Sequence, residues 1–116
     1  MVRGMTSASG PDFLAAPQQM LGEILENRRV APATWVMKIH APEVAPTIQP
    51  GQFVNIRTSA SLVPLLRRPR SIHRVIRHGG TATGFCILYD VIGPGTVALS
   101  RMQATQRIDF VGPLGN

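Results

Sequence analysis

The stretch Leu65-Leu66-Arg67-Arg68-Pro69-Arg70-Ser71-Ile72 lies at mid-chain and sets three arginines and a serine around one proline. Proline fixes φ and withdraws one N–H, so the segment reads as an edge strand or an irregular strand entry. Guanidiniums this close repel one another unless an anion or solvent takes up their charge. The planar fork of arginine donors suits phosphate oxygens, and Ser71 adds a small neutral donor and acceptor. Two readings follow: the grip on a nucleotide diphosphate, or a solvated charged loop beside a strand.

Outward from this stretch the chain is punctuated for short strands. Upstream, Phe53-Val54-Asn55-Ile56-Arg57 follows the turn Pro50-Gly51-Gln52, and Thr34 to His40 alternates with Trp35 and Val36 on opposite faces. Leu21 to Val30 is compatible with a first strand, while its glutamates also allow a short helix. The charged motif starts a fourth strand running through Ile76. Gly79-Gly80 supplies a hairpin turn, and Gly84 to Val91 returns as the fifth. Ile108 to Val111 makes a sixth. Short strands at this spacing, with turns between them, predict an all-β fold, a six-stranded antiparallel Greek-key barrel.

Gly93-Pro94-Gly95-Thr96 follows the fifth strand and leads into one short helix, with Val97, Ala98 and Arg101 at helical spacing. A helix start offers free N–H donors to an anion, and glycine lets backbone approach a phosphate closely. Alone it is also a plain glycine turn. With Arg68 opposite, the two would clamp a diphosphate between them. In an ideal strand Arg68 and Ser71 point to opposite faces. Serving one ligand together requires a bend at Pro69 or a ligand wrapped around the strand edge, and an irregularity near Pro69 is expected.

Composition narrows the classes. The 116 residues allow one domain, 44% hydrophobic and 16% charged, with a net charge of +6. The arginines are scattered and the aromatics number six (four Phe, one Trp, one Tyr), which argues against a nucleic-acid platform of interleaved charge and stacking rings. The single cysteine, Cys86, excludes an internal disulfide within these residues and reads as a small buried hydrophobe. His40, His73 and His78 show no metal-ligand spacing, so no metal site is expected. No apolar run is long enough to cross a membrane as a helix, and the start lacks the apolar core of a secretory signal. The expectation is a cytoplasmic protein that uses neither nucleic acid nor membrane. Residues 1–19 mix Gly, Ser, Ala, Pro and Gln without period and read as a flexible tail, leaving 20–116 as the domain.

Arg68-Pro69-x-Ser71, then a strand containing Leu88-Tyr89-Asp90, then Gly93-x-Gly95-Thr96-x-x-Leu99-Ser100, then Gly112-Pro113-Leu114-Gly115-Asn116, occur in one order. That order resembles the flavin-binding domain of the ferredoxin–NADP reductase superfamily, and within it the electron-transfer subunit of class B dihydroorotate dehydrogenase. The resemblance implies FAD as cofactor. It gives Arg68 contact with the diphosphate, Ser71 a place near the reactive edge of the flavin ring, and Pro69 the same motif position. Arg70 stands where the family usually carries an aromatic or aliphatic side chain along the flavin. Leu88, Tyr89 and Asp90 match the segment lining the adenosine and diphosphate side, Asp90 standing where a basic residue is frequent. Gly95 and Thr96 match the phosphate-contacting pair. No residue matches a separate acid–base catalyst.

Gly112 to Asn116 resembles the linker into the family's nicotinamide-binding domain. That domain, and the cysteines that hold a 2Fe-2S cluster in the dihydroorotate enzyme, are not among these residues. The resemblance therefore implies an oxidoreductase fragment, or a chain completed by another. It could hold flavin but could not alone turn over a nicotinamide nucleotide by the family's route. Its expected partners are a catalytic dehydrogenase subunit or another electron-transfer protein, and its expected role is to pass electrons between NAD(P)H and an iron–sulfur or flavin partner in dihydroorotate oxidation and pyrimidine biosynthesis. The competing reading is a cofactor-free barrel acting as a protein-interaction module, with Arg70 and Asp90 as its supporting features.

Overall fold

A computed structural model describes residues 19–57 and 67–115. The expectations for residues 1–18, Leu65, Leu66 and Asn116 lie outside the described residues. Six strands form, β1 (Gln19–Arg29), β2 (Thr34–His40), β3 (Phe53–Arg57), β4 (Arg67–His78), β5 (Thr81–Asp90) and β6 (Arg107–Leu114), with one short helix, α1 (Pro94–Ser100), before β6. The strands close into an antiparallel barrel in the order β1-β2-β5-β4-β3-β6, the expected Greek-key connection. Among the described residues no helix is long and apolar enough to cross a membrane.

Period-two alternation builds the core. Met37 and Ile39 of β2, Val54 and Ile56 of β3, Phe85 and Ile87 of β5, and Ile108 and Phe110 of β6 all point inward and are fully buried. Phe85 and Phe110 meet edge to face, with ring centroids 5.3 Å apart and planes at 77°, a favourable arrangement of the ring quadrupoles. Cys86 is buried, as expected of a small hydrophobe, and that burial raises its thiol pKa.

The strand-or-helix choice at the start resolves to strand. Gly22 and Ile24 face inward while Leu21 and Glu23 face out, and a bulge between Ile24 and Glu26 restarts the register against β2. Glu26 then sits on the outer face with Lys38, at 3.1 Å, and Arg28, and Lys38 foremost holds its carboxyl below the usual range. Gln19 already pairs with Val111, so the first strand begins one residue before the expected domain boundary at Met20. β6 likewise runs past Val111: Leu114 pairs with Phe53, so Gly112 to Leu114 are barrel strand and not linker. At Gly79-Gly80 both φ angles are positive, +58° and +84°, as the hairpin turn demands.

The helix differs from the expectation in two ways. It begins at Pro94, so the Gly-Pro-Gly-Thr segment is its cap and first turn. Its inward residues are Thr96 and Leu99, while Arg101 is exposed. One side chain ties α1 to the barrel. The Asn27 Nδ2 group donates to the carbonyls of Leu99 and Met102, each at 2.9 Å, and Asn27 Oδ1 accepts the Tyr89 hydroxyl at 2.6 Å. A barrel end is thereby closed by polar groups that satisfy one another.

Two predictions follow from this interior. A Cβ on Gly84 would stand 2.1 Å from the Ile39 carbonyl oxygen, which is backbone. Gly84→Ala should therefore lower the urea midpoint by an amount equivalent to roughly 1–3 kcal/mol, the usual cost of overpacking. Tyr89, the chain's one tyrosine, is pushed up from 10.0 to about 12, first by burial. Because the folded state holds that proton more tightly, stability is full below about pH 10 and falls as pH rises toward about 12. Phenolate absorbance should titrate near the upper value when folded and near the lower in denaturant, and Tyr89→Phe should lose the stability drop.

Candidate functional site

β3 and β4 pair in unbroken register from Phe53↔Ser71 to Arg57↔Arg67. The irregularity expected near Pro69 is absent there. The break lies on the other side: β4 first meets β5 at Ile72↔Ile87, with a register shift between Ile72 and Arg74. Beyond that point Leu88, Tyr89 and Asp90 pair with β2 alone. The seam between β4 and β5 is therefore open over Arg67–Ser71.

The hydrogen-bond phase explains the proline. Ile72 N–H donates to Gln52 O at 3.1 Å, toward β3. By alternation the backbone groups of Arg70 and Arg68 also point to β3, and those of Pro69 and Ser71 point into the open seam. Pro69 thus sits where no ladder donor is needed. An open edge also answers the geometric difficulty of the motif: a ligand at the edge can be reached from both faces of the strand, so Arg68 and Ser71 serve one cleft without a bend.

That cleft has a volume of about 660 Å³, within the usual range for small-molecule sites. Its β4 wall is Arg68, Pro69, Arg70 and Ser71; its β5 wall is Leu88, Tyr89 and Asp90; Gly95 and Thr96 close it from α1. All nine residues singled out from the sequence line it. Gly93 and Pro94 of the expected phosphate turn line it as well, and so does Ile92, to which the sequence reading assigns no role. Ile92 is 85% exposed, and a large bare aliphatic beside a glycine turn was the available signal.

The three arginines divide their work. Arg67 Nη2 lies 2.9 Å from Asp109 Oδ1, in ion-pair contact but outside good hydrogen-bond alignment, and Arg57 Nη1 approaches Asp109 Oδ2 at 3.7 Å. Gln19 Nε2 donates to the same Oδ2 at 2.9 Å. Arg67 is therefore committed to joining β4 to β6. Arg68 and Arg70 have no carboxylate partner among the described residues and both face the cleft. Burial first, and Arg68 second, pull the Arg70 guanidinium below its ordinary pKa, which an arriving anion would reverse.

Other expected roles shift in detail. Asp90 Oδ1 accepts the Thr34 hydroxyl at 2.8 Å, and Arg70 Nη1 donates to the Pro69 carbonyl at 3.3 Å, so Asp90 and Arg70 do not pair with each other. Thr96 Oγ1 accepts the N–H groups of Ile92, at 2.9 Å, and Gly93, at 3.1 Å, and donates back to Gly93 O. Its hydroxyl is thus occupied in shaping the turn, and only its backbone faces a ligand. Tyr89 is buried, with its hydroxyl on Asn27 and not toward the cleft. A Cβ built at Gly93 or Gly95 meets nothing within 4 Å, so the turn backbone is open to close approach.

No family model matches the chain. It is 42% identical over 93 residues to the dihydroorotate dehydrogenase B (NAD(+)) electron transfer subunit of Desulforamulus reducens, covering 80% of this chain and 34% of that one. The same subunit of Bacillus caldolyticus is 37% identical over 93 residues, covering 80% and 35%. Among solved structures, the NADH-dependent reduced ferredoxin-NADP oxidoreductase superposes with a TM-score of 0.68 at 31% identity, covering 82% of this chain and 34% of that chain. The ferredoxin reductase of carbazole 1,9a-dioxygenase shares the fold, with a TM-score of 0.66 at 16% identity over 88% of this chain and 31% of its own. The chain spans about a third of the length of the curated relatives it matches. The chain is thus similar in sequence to the electron-transfer subunits of dihydroorotate dehydrogenase B, and in barrel topology to ferredoxin–NADP reductase-type FAD-binding domains.

Proposed function

We propose that the chain is the FAD-holding unit of an electron-transfer oxidoreductase. In this reading it passes electrons between a nicotinamide nucleotide and an iron–sulfur or flavin partner, and works with a catalytic dehydrogenase subunit in dihydroorotate oxidation. The nicotinamide site and a 2Fe-2S cluster belong, in the same reading, to sequence outside these 116 residues. The observation that carries it is a cleft at an open strand edge, holding two arginines with no carboxylate partner among the described residues and a glycine turn with accessible backbone.

The residues present fit a dinucleotide. Arg68 and Arg70 would take the diphosphate from the β4 side with charge-assisted hydrogen bonds. Gly95 and Thr96 would offer their backbone N–H groups from the other side, since Pro94 has none and that of Gly93 is bonded to Thr96 Oγ1. Ser71, exposed on the strand edge, would offer its hydroxyl to a ring nitrogen. Leu88 and Ile92 give apolar surface to the planar rings. Arg70, in place of an aromatic, can lie flat against a ring as well as face a phosphate. FAD bound there supplies the redox chemistry, and the protein's share is orientation, charge and exclusion of water.

A titration tests the reading. The unsubstituted chain should bind FAD and gain about 2.7 kcal/mol of stability at a hundred times the Kd. Arg68→Ala should weaken FAD about tenfold to a hundredfold, the value of one lost charge-assisted contact. Arg77→Ala, exposed at the far end of β4, should leave the Kd unchanged. An equal effect of the two substitutions would point to general electrostatics and sink the assigned site.

A further inference from the structure

We propose that Asn27 is a positioning residue for the cleft, a clamp that sets the distance between its β5 wall and its α1 wall; the inference rests on the flavin reading above. Asn27 does not line the cleft. It lies on β1, behind both walls, and bridges them through hydrogen bonds. Tyr89, which lines the cleft from β5, donates to its Oδ1 at 2.6 Å. Leu99 and Met102, at the far end of the helix whose first turn lines the cleft, each accept from its Nδ2 at 2.9 Å.

The carboxamide is fully determined by these partners. Two carbonyls can face only the NH₂ group, so a flipped amide would lose both of those bonds and set its oxygen against two acceptors. Both amide protons and the carbonyl are used, and the network is half-buried, where a broken member is costly. α1 has only seven residues and is too short to hold itself. Its place is set by Leu99 in the core and by Asn27 at its C-terminal end. Loosening that end lets the Gly93–Thr96 turn move against Arg68 and Arg70, which widens the grip on a diphosphate without removing any group that makes it.

The substitution Asn27→Asp keeps the shape and replaces the two donors with a carboxylate facing two carbonyl oxygens. The charged groups around it are Glu26 and Arg28, flanking it on the opposite face of β1, Lys38 beside its β2 partner Met37, Arg70 of β4 acting on the Tyr89 side chain, and Arg101 after α1, while Tyr89 is neutral below its raised pKa. α1 itself carries no titratable side chain. The FAD affinity of Asn27→Asp, relative to the unsubstituted chain, should fall about tenfold near neutral pH. It should recover in part as the pH is lowered and the protonated carboxyl donates again. Amide exchange at Val97, Arg101 and Met102 should accelerate in the same variant without ligand. An unchanged affinity, or the same loss at every pH, overturns the clamp. If the unsubstituted chain binds no FAD, the flavin reading falls by itself, and unaltered exchange in α1 of Asn27→Asp then overturns the clamp separately.

Discussion

An antiparallel barrel can pair every strand edge, and this one leaves part of an edge unpaired. Over Arg67–Ser71, β4 is bonded to β3 and not to β5. The backbone groups on that side must find water or a ligand, since unmet polar groups are costly in any enclosed place. Pro69 reduces the debt by having no N–H to satisfy. The rest of the cleft depends on this opening. Without it Arg68, on the inward face with Ile56, and Ser71, on the outer face with Phe53, would sit on opposite faces of a closed sheet.

Charge follows the same division. Asp109 lies on β6, within reach of Arg57 and Arg67 at the paired end of β4, and it takes those two guanidiniums into a structural cluster with Gln19. Moving one and three residues along the strand leaves Arg68 and Arg70 facing the cleft. Burial first, and the neighbouring Arg68 second, make the Arg70 charge costly and depress its pKa. An anion would relieve that cost, which is the physical ground for proposing a phosphate-bearing ligand here.

Much of the fold is legible in the sequence because the strands alternate cleanly. Met37 and Ile39, Val54 and Ile56, and Ile108 and Phe110 each fall at spacing two, and Gly79-Gly80 marks its hairpin plainly. β1 is less legible, since a bulge after Ile24 breaks the period and an inward glycine hides one core position. The site's residues are legible as a set, and all nine meet at one cleft. Their individual geometry is not. Alternation alone puts Arg68 and Ser71 on opposite faces, because it cannot say that β5 departs from β4 at Ile72. Thr96 reads as a phosphate contact, yet its hydroxyl closes the turn on Ile92 and Gly93. Asn27 gives no local signal at all: its partners lie 62, 72 and 75 residues away, and only the closed barrel brings them together.

The most direct measurement is an amide chemical-shift map of the labelled chain as FAD is added. The account predicts shifts concentrated at Arg68, Arg70 and Ser71, at Leu88 to Asp90, and at the Gly93–Thr96 turn, with the opposite side of the barrel unmoved. Saturating FAD that moves no resonance, or that moves chiefly the outer face around Lys38 and Arg74, would contradict it.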